Sequence, residues 1–294
     1  MRSLLRKIQD KAARVVNPAV LTAAPIMLLS SNRANAEWGL NLPPPSTPIA
    51  REIIGLHNGI MIACLIIFIV VFAAMFYSFF AHRHSKGYQP AQFSHSTKLE
   101  IVWTIIPTLI LIGFAIPSTA TLLKMEDTTD AGLTVKITGY QWKWHYDYLD
   151  TPGVGFYSNL STPTAQIRGD EPKGEHYLLE VDNPLVIPAN TKVRFLMTAS
   201  DVIHSWWVPS FGVKKDAIPG FINESWASVE TPGTYRGQCT ELCGKDHGYM
   251  PVVVEVLPPE EFEAWLAEQE TALTKAETNE QLVDASSAAK TQTN

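Results

Sequence analysis

Two stretches of this chain carry no charged side chain, and they decide what it can fold into. Between Glu52 and Arg83 there is no Asp, Glu, Lys or Arg, and "GIMIACLIIFIVVFAAMFYSFF" fills positions 59 to 80. The second stretch, "IVWTIIPTLILIGFAIPSTATLL", runs from Ile101 to Leu123. Crossing a hydrocarbon core takes roughly 20 mostly apolar residues, and both stretches suffice. Two buried helices of a soluble protein would be the alternative, but runs this long without one charge do not fit it. Pro107 and Pro117 lie inside the second run, where membrane helices accept proline more readily than soluble ones. The pattern predicts a transmembrane hairpin over 53–123, with spans at about 54–81 and 100–123.

The extreme N-terminus is a different kind of segment. A basic stretch, "MRSLLRKIQDKAARVV", precedes a short apolar core, "PAVLTAAPIMLL", and "ANA" at 34–36 offers small residues for cleavage. This is the pattern of a secretory signal peptide over 1–36, cut after Ala36, in preference to an uncleaved amphipathic anchor. Its removal takes the formal charge from −6 to −11, with 17 basic residues against 28 acidic. Between the spans, "AHRHSKGYQPAQFSHSTK" carries Arg83, Lys86 and Lys98 and no acid. The positive-inside rule puts that loop in the cytoplasm and both flanking ends outside, residues 37–52 among them.

After the second span the texture changes. "LTVKITGYQWKWHYDY", "HYLLEV", "TKVRFLMTA", "SWASVE" and "MPVVVEVL" are rich in β-branched and aromatic residues, and "DNP", "IPAN", "AIPG" and "TPG" punctuate them. Short strands with regular turns predict a β-sandwich or barrel. A helix follows in "PPEEFEAWLAEQE", with acids in its first turn, so the exported domain is placed at 124–270. The remaining 271–294 is polar and non-periodic and is expected to be a disordered tail.

The chemistry gathers in "GQCTELCGKDHGYMP", residues 237–251. Of three cysteines, Cys64 lies within the first span and reads as a small buried hydrophobe. Cys239 and Cys243 face an oxidising compartment, where a bare C-x-x-x-C would become a disulfide. That reading leaves His247, Met250 and a further histidine, His204 in "DVIHSWWVPSFG", to be explained as ordinary structure. Zinc takes thiolate and imidazole but has little use for a thioether, whereas sulfur with imidazole favours copper. A mononuclear blue-copper site needs one Cys, so the second thiol points to two metal ions bridged by both.

At these residues the chain resembles subunit II of the haem–copper cytochrome c oxidases, of the bacterial type close to the mitochondrial one. The resemblance runs from the first span to the helix near 268 and rests on "LEIVWTIIP", "GYQWKWHYDY", "LLEVDN", "DVIHSWWVPSFGVKKDAIPG" and "GQCTELCGKDHGYMP". It implies a two-helix hairpin joined to an all-β, cupredoxin-like Greek-key domain that holds the binuclear copper centre CuA. Carried over by motif, Cys239 and Cys243 bridge both coppers, with His204 and Met250 completing one ion. His247 and the backbone carbonyl of Glu241 complete the other, and the Glu241 side chain helps bind magnesium at the interface with subunit I. The resemblance makes Trp142 the surface point where electrons arrive from cytochrome c, and Asp147, Asp182 and Asp201 the carboxylates that dock it. Lys143 stands where the family has an aromatic. Glu100 is implied as the mouth of a proton channel into subunit I, and equally serves as an acid at a helix N-terminus.

The implied function is delivery of electrons from cytochrome c to the haem of subunit I, where oxygen is reduced to water with proton pumping. The implied partners are subunit I, subunit III, cytochrome c and the lipid bilayer, in the inner membrane of a bacterium with the C-terminal domain in the periplasm. No nucleic acid is expected. Three other readings compete. A quinol oxidase homologue without copper conflicts with the intact ligand set. A tethered thiol–disulfide exchanger leaves His204 and Met250 without a role, and a copper carrier would need no docking face.

Overall fold

The computed structural model describes residues 39, 41–87, 89, 91–92 and 94–291, of which 276–291 are followed by their backbone alone. The proposed signal peptide, 1–36, lies outside the described residues.

Helix α1 spans Pro48–Ala81. Thr47 caps it by accepting from the Ala50 N–H at 3.0 Å, and proline occupies the first turn, where its missing donor costs nothing. Helix α2, Thr97–Glu126, carries Pro107 and Pro117 inside it. Both helices are long and apolar enough to cross a membrane, and each runs past the predicted spans, by six residues at the start of α1 and three at either end of α2. The extra turn at the start of α1 and the one at the end of α2 meet the exported domain. Near the exported end, Glu52 accepts from Lys124 at 2.6 Å and from Thr121 at 3.1 Å. Along the hairpin most apolar side chains face outward: Leu65, Phe68, Ile69 and Val70 are all more than half exposed, which suits lipid and not water.

The exported domain is a sandwich of two five-stranded sheets. In chain order its strands are β1 Leu133–Tyr140, β2 Lys143–Tyr148, β3 Gly155–Ser158, β4 Leu185–Pro188, β5 Lys192–Ala199, β6 His204–Val208, β7 Val213–Ala217, β8 Asn223–Ser228, β9 Gly233–Cys239 and β10 Pro251–Leu257. One sheet runs β3-β2-β1-β5-β8 and the other β4-β10-β9-β6-β7. Neighbours are antiparallel except β1 with β5 and β4 with β10, which are parallel and force the chain to cross between sheets. Alternation decides the register: Val193, Phe195, Met197 and Ala199 of β5 all point inward. Trp144, Trp206, Tyr146, Tyr148 and Phe195 fill the space between sheets, fully buried. Their polar ends are satisfied, since Tyr148 donates to Val186 O at 2.6 Å and Trp206 donates to Tyr146 Oη at 3.4 Å.

A short helix, α3 Thr164–Arg168, sits in the connection from β3 to β4. The last helix, α4, is longer than the sequence suggested. It spans Pro259–Thr291, so 271–291 is helical where a disordered tail was expected. The stretch contains no proline or glycine and has five alanines among its 21 residues, whose helix propensity extends a helix already anchored by packing. That anchor is Phe262 with Trp265, whose rings lie 5.9 Å apart and pack on Tyr148 and Phe156.

Contacts tie the hairpin to the sandwich. Arg51 forks onto Glu230 at 2.7 and 2.8 Å, Thr47 Oγ1 donates to Phe211 O at 2.8 Å, and Trp226 Nε1 donates to Lys124 O at 3.0 Å.

Candidate metal centre

One end of the sandwich collects the sulfur and imidazole groups. His204 opens β6, Cys239 closes β9 opposite Trp206, and Met250 directly precedes β10. Between them the chain makes a loop and a single 3₁₀ turn, His247–Tyr249. Because three of the donors are fixed at strand ends, the sheet sets their spacing before any metal arrives.

The two thiol sulfurs are 3.8 Å apart and both cysteines are free and buried. His204 Nδ1 lies 3.9 Å from Cys239 Sγ, and the Glu241 carbonyl lies 3.5 Å from the same sulfur. On the other side, His247 Nδ1 is 3.4 Å and Met250 Sδ 3.5 Å from Cys243 Sγ. All six donors that the sequence nominated are therefore brought together. The ligand atoms of His204, Cys239 and Cys243 lie within 4.8 Å of one another. Two thiols and two imidazoles alone would satisfy one zinc. The thioether and the extra carbonyl, both at contact distance from the thiols, fit copper instead and exceed the donors one tetrahedral ion can use.

The thiols differ electrostatically. Burial raises both, but at Cys239 the hydrogen bonds from His204 and from neighbouring backbone outweigh it and lower its pKa below that of an ordinary thiol. Cys243 is pushed up to about 12 by burial and by the adjacent charge on Cys239. Burial likewise opposes the charged form of His204, yet Cys239 and Asp201 prevail and raise its pKa. A metal's positive charge would reverse the cost at Cys243 and hold both sulfurs as thiolates.

Trp142 lies in the turn between β1 and β2, and its indole Nε1 donates to Cys243 O at 3.1 Å. It leans on Gly244, where a Cβ would meet the indole at 3.1 Å and where φ is +119°, so this position needs glycine. The other rings of that ribbon, Trp144, Tyr146 and Tyr148, are buried structure. The three carboxylates all have local partners. Asp147 faces Lys136 at 3.6 Å and His145 at 3.3 Å. Asp182 accepts from Asn159 and Asn183 backbone N–H groups and so braces a turn. Asp201 touches the donor cluster itself, through His204 Nε2 at 2.9 Å.

Glu100 is elsewhere: it sits in the first turn of α2, roughly 40 Å of helix away from the exported end. The Glu241 side chain is exposed, and no second acidic ligand cluster accompanies it among the described residues. Gln141 is a contributor that the sequence did not single out. Its side-chain amide donates to Cys243 O at 2.8 Å, sharing that carbonyl with Trp142. A polar residue interrupting an aromatic ribbon was the one available signal.

Residues 133–257 match the family described as cytochrome c oxidase subunit II, periplasmic domain, and residues 35–121 match its transmembrane domain. The probable cytochrome c oxidase subunit 2 of Rickettsia bellii is 40% identical over 84% of this chain and 91% of its own length. Cytochrome c oxidase subunit 2 of Cyanidium caldarium is 39% identical over 80% of this chain and 92% of its own. Among solved structures, the periplasmic domain of cytochrome oxidase subunit II (CoxB) of Bradyrhizobium japonicum is 40% identical. It covers 50% of this chain and 99% of its own, with a TM-score of 0.45.

Proposed function

The chain belongs to the cytochrome c oxidase subunit II family, and from that premise we propose that its exported domain holds the binuclear CuA centre and receives electrons from cytochrome c. Membership makes it one subunit of a haem–copper oxidase, a membrane protein with two spanning helices and an exported C-terminal domain. The observation that carries the reading is the convergence of six soft or neutral donors around two thiols 3.8 Å apart. Cys239 and Cys243 would hold both ions, with His204 and Met250 completing one and His247 with the Glu241 carbonyl completing the other. Copper bound there would supply a one-electron acceptor.

The protein's own part is to fix those donors and to control access. Cys239, Cys243, His204 and Met250 are buried, so water is kept from the sulfurs. Trp142 presents an aromatic face next to the loop and reaches Cys243 through one hydrogen bond, a short route from surface to ligand. Asp147, Asp182 and Asp201 give the donor-facing side negative character. Such fields mainly raise association rates, and they act on a mature chain of charge −11. The Glu241 side chain contributes to a magnesium site shared with subunit I. Glu100 admits protons from the cytoplasmic side, because an ionisable group at a membrane edge is costly unless used. Subunits I and III are the partners in the bacterial inner membrane, and the oxygen chemistry belongs to subunit I.

Stopped-flow reduction of the assembled oxidase by cytochrome c tests the reading. Trp142→Phe should leave donor binding nearly intact and slow the electron transfer step. If that variant accepts electrons at the wild-type rate, Trp142 is not the route.

A further inference from the structure

We propose that Lys143 and Lys245 select the electron donor. They fit the entry face to a cytochrome that carries a carboxylate beside its exposed haem edge, inside the basic groups that meet the docking acids; the proposal rests on the electron-entry reading above. Lys143 interrupts the aromatic ribbon of β2. Burial alternates along that strand, so Lys143 stands on the outer face while Trp144 fills the core. Its Nζ rests over the Tyr157 ring, 4.2 Å from the centroid, and it has no ion-pair partner among the described residues. Lys245 comes from the donor loop, with its Nζ 5.6 Å from the centroid of the Trp142 ring and its side chain 78% exposed. A ring face attracts a cation and holds it in place. Two positive charges therefore have fixed seats at the entry point, one next to Trp142 in the chain and one over its ring.

The docking acids are interleaved with these lysines. Asp201 accepts from the N–H of Gln141, the residue before Trp142, at 2.7 Å. Asp182 accepts from the Asn183 N–H, and the Asn183 side chain in turn donates to Tyr157 O at 3.0 Å. Asp246 lies 3.8 Å from Lys245 and tempers its field, which leaves Lys143 the stronger of the two cations. Such a mosaic suits a donor whose face is mixed in the same way. A lysine at the haem edge would be pressed against Lys143 or Lys245 as the surfaces close, and like charges brought together at a contact are heavily penalised. A carboxylate in that place would make a charge-assisted hydrogen bond instead. Basic groups elsewhere on the donor still meet the acids, and Tyr157, 43% exposed, offers apolar contact beside Trp142.

The test is stopped-flow reduction of the assembled, copper-loaded oxidase at low ionic strength by two donors. One is a c-type cytochrome whose haem edge is ringed by lysines, and the other is the same cytochrome with one of those lysines replaced by glutamate. Two unit charges about 6 Å apart in water change a rate roughly threefold. Wild type should accept electrons from the glutamate-bearing donor faster by that factor or more, and the gap should close as salt rises. Lys143→Gln and Lys245→Gln should each shrink the gap, Lys143→Gln the more, with copper content at wild type. The double variant should favour the lysine-ringed donor, which the acids then hold unopposed. Lys275→Gln removes the same charge from α4, where Leu273 packs on Gly153 beyond the far end of β2, and should leave the gap unchanged. A wild type that prefers the lysine-ringed donor, or a double variant with the wild-type preference, would overturn the proposal. A copper-loaded wild type that neither cytochrome reduces would remove the electron-entry reading itself, and this proposal with it.

Discussion

The hairpin and the sandwich solve the same problem with opposite means. In α1 and α2 apolar side chains face outward, and few side-chain contacts join the two helices: Gly59 packs against Phe114, and Glu52 meets Thr121 and Lys124. Any apolar residue of similar size would serve at most of those positions, because lipid does not discriminate shape. In the sandwich the apolar side chains face one another, and Trp144, Trp206 and Tyr146 each occupy one orientation fixed by packing and a hydrogen bond. The lesson is where specificity resides. Hydropathy alone specifies the hairpin, while the metal site needs a packed, rigid support, and Trp144 Nε1 donating to Met250 O at 3.3 Å joins the core directly to a ligand.

That contrast breaks first at the core. Trp206→Ala should cost the exported domain about 3–5 kcal/mol, as large-to-small changes at buried aromatics do, and should lower its unfolding midpoint in denaturant. An apolar exchange of similar volume in the hairpin, such as Ile66→Leu, should change neither expression nor copper content. A sandwich that tolerated Trp206→Ala without loss would erase the distinction.

Next come the ligands. Cys239→Ser or Cys243→Ser should abolish the binuclear centre, whereas Met250→Leu should perturb it and leave part of the copper bound. Metal analysis with absorption spectra reads both, and equal effects from all three would contradict the division into bridging and terminal ligands.

Glu100→Ala sharpens the comparison from the membrane side. Copper content and reduction of the exported domain should stay at wild type, while steady-state oxygen consumption falls. Turnover at the wild-type rate across a range of pH would leave Glu100 as a helix-terminal acid and no more.

A smaller effect is expected on the donor-facing surface. Neutralising Asp147 and Asp182 together should slow association with cytochrome c and flatten its salt dependence, a modest share of the range from roughly 10⁵–10⁶ to 10⁸–10⁹ M⁻¹s⁻¹ that steering spans. Lys136 and His145 already lie beside Asp147, which limits the gain from its charge. An unchanged salt slope would remove both acids from the docking face.

Much of this was legible in the sequence for physical reasons that differ by region. Uncharged runs announced the hairpin because lipid acts on composition, and alternation announced β5 because one of its faces is buried. The donors were readable because metal chemistry restricts residue types. The part Gln141 plays beside the donor loop was not readable, since Gln141 lies 60 positions from Asp201 and 102 from Cys243, and only the fold brings them together. The helix over 271–291 was missed for the opposite reason. The stretch lacks an amphipathic period, yet propensity carries a helix onward once α4 is anchored at Phe262 and Trp265.

The claim on which the rest depends is that two coppers share one site. Quantifying copper per purified chain, together with the electron paramagnetic resonance spectrum of the oxidised form, tests it directly. Two copper ions per chain with one mixed-valence signal is the predicted result. One copper per chain, with a signal from an isolated ion, would contradict the binuclear centre.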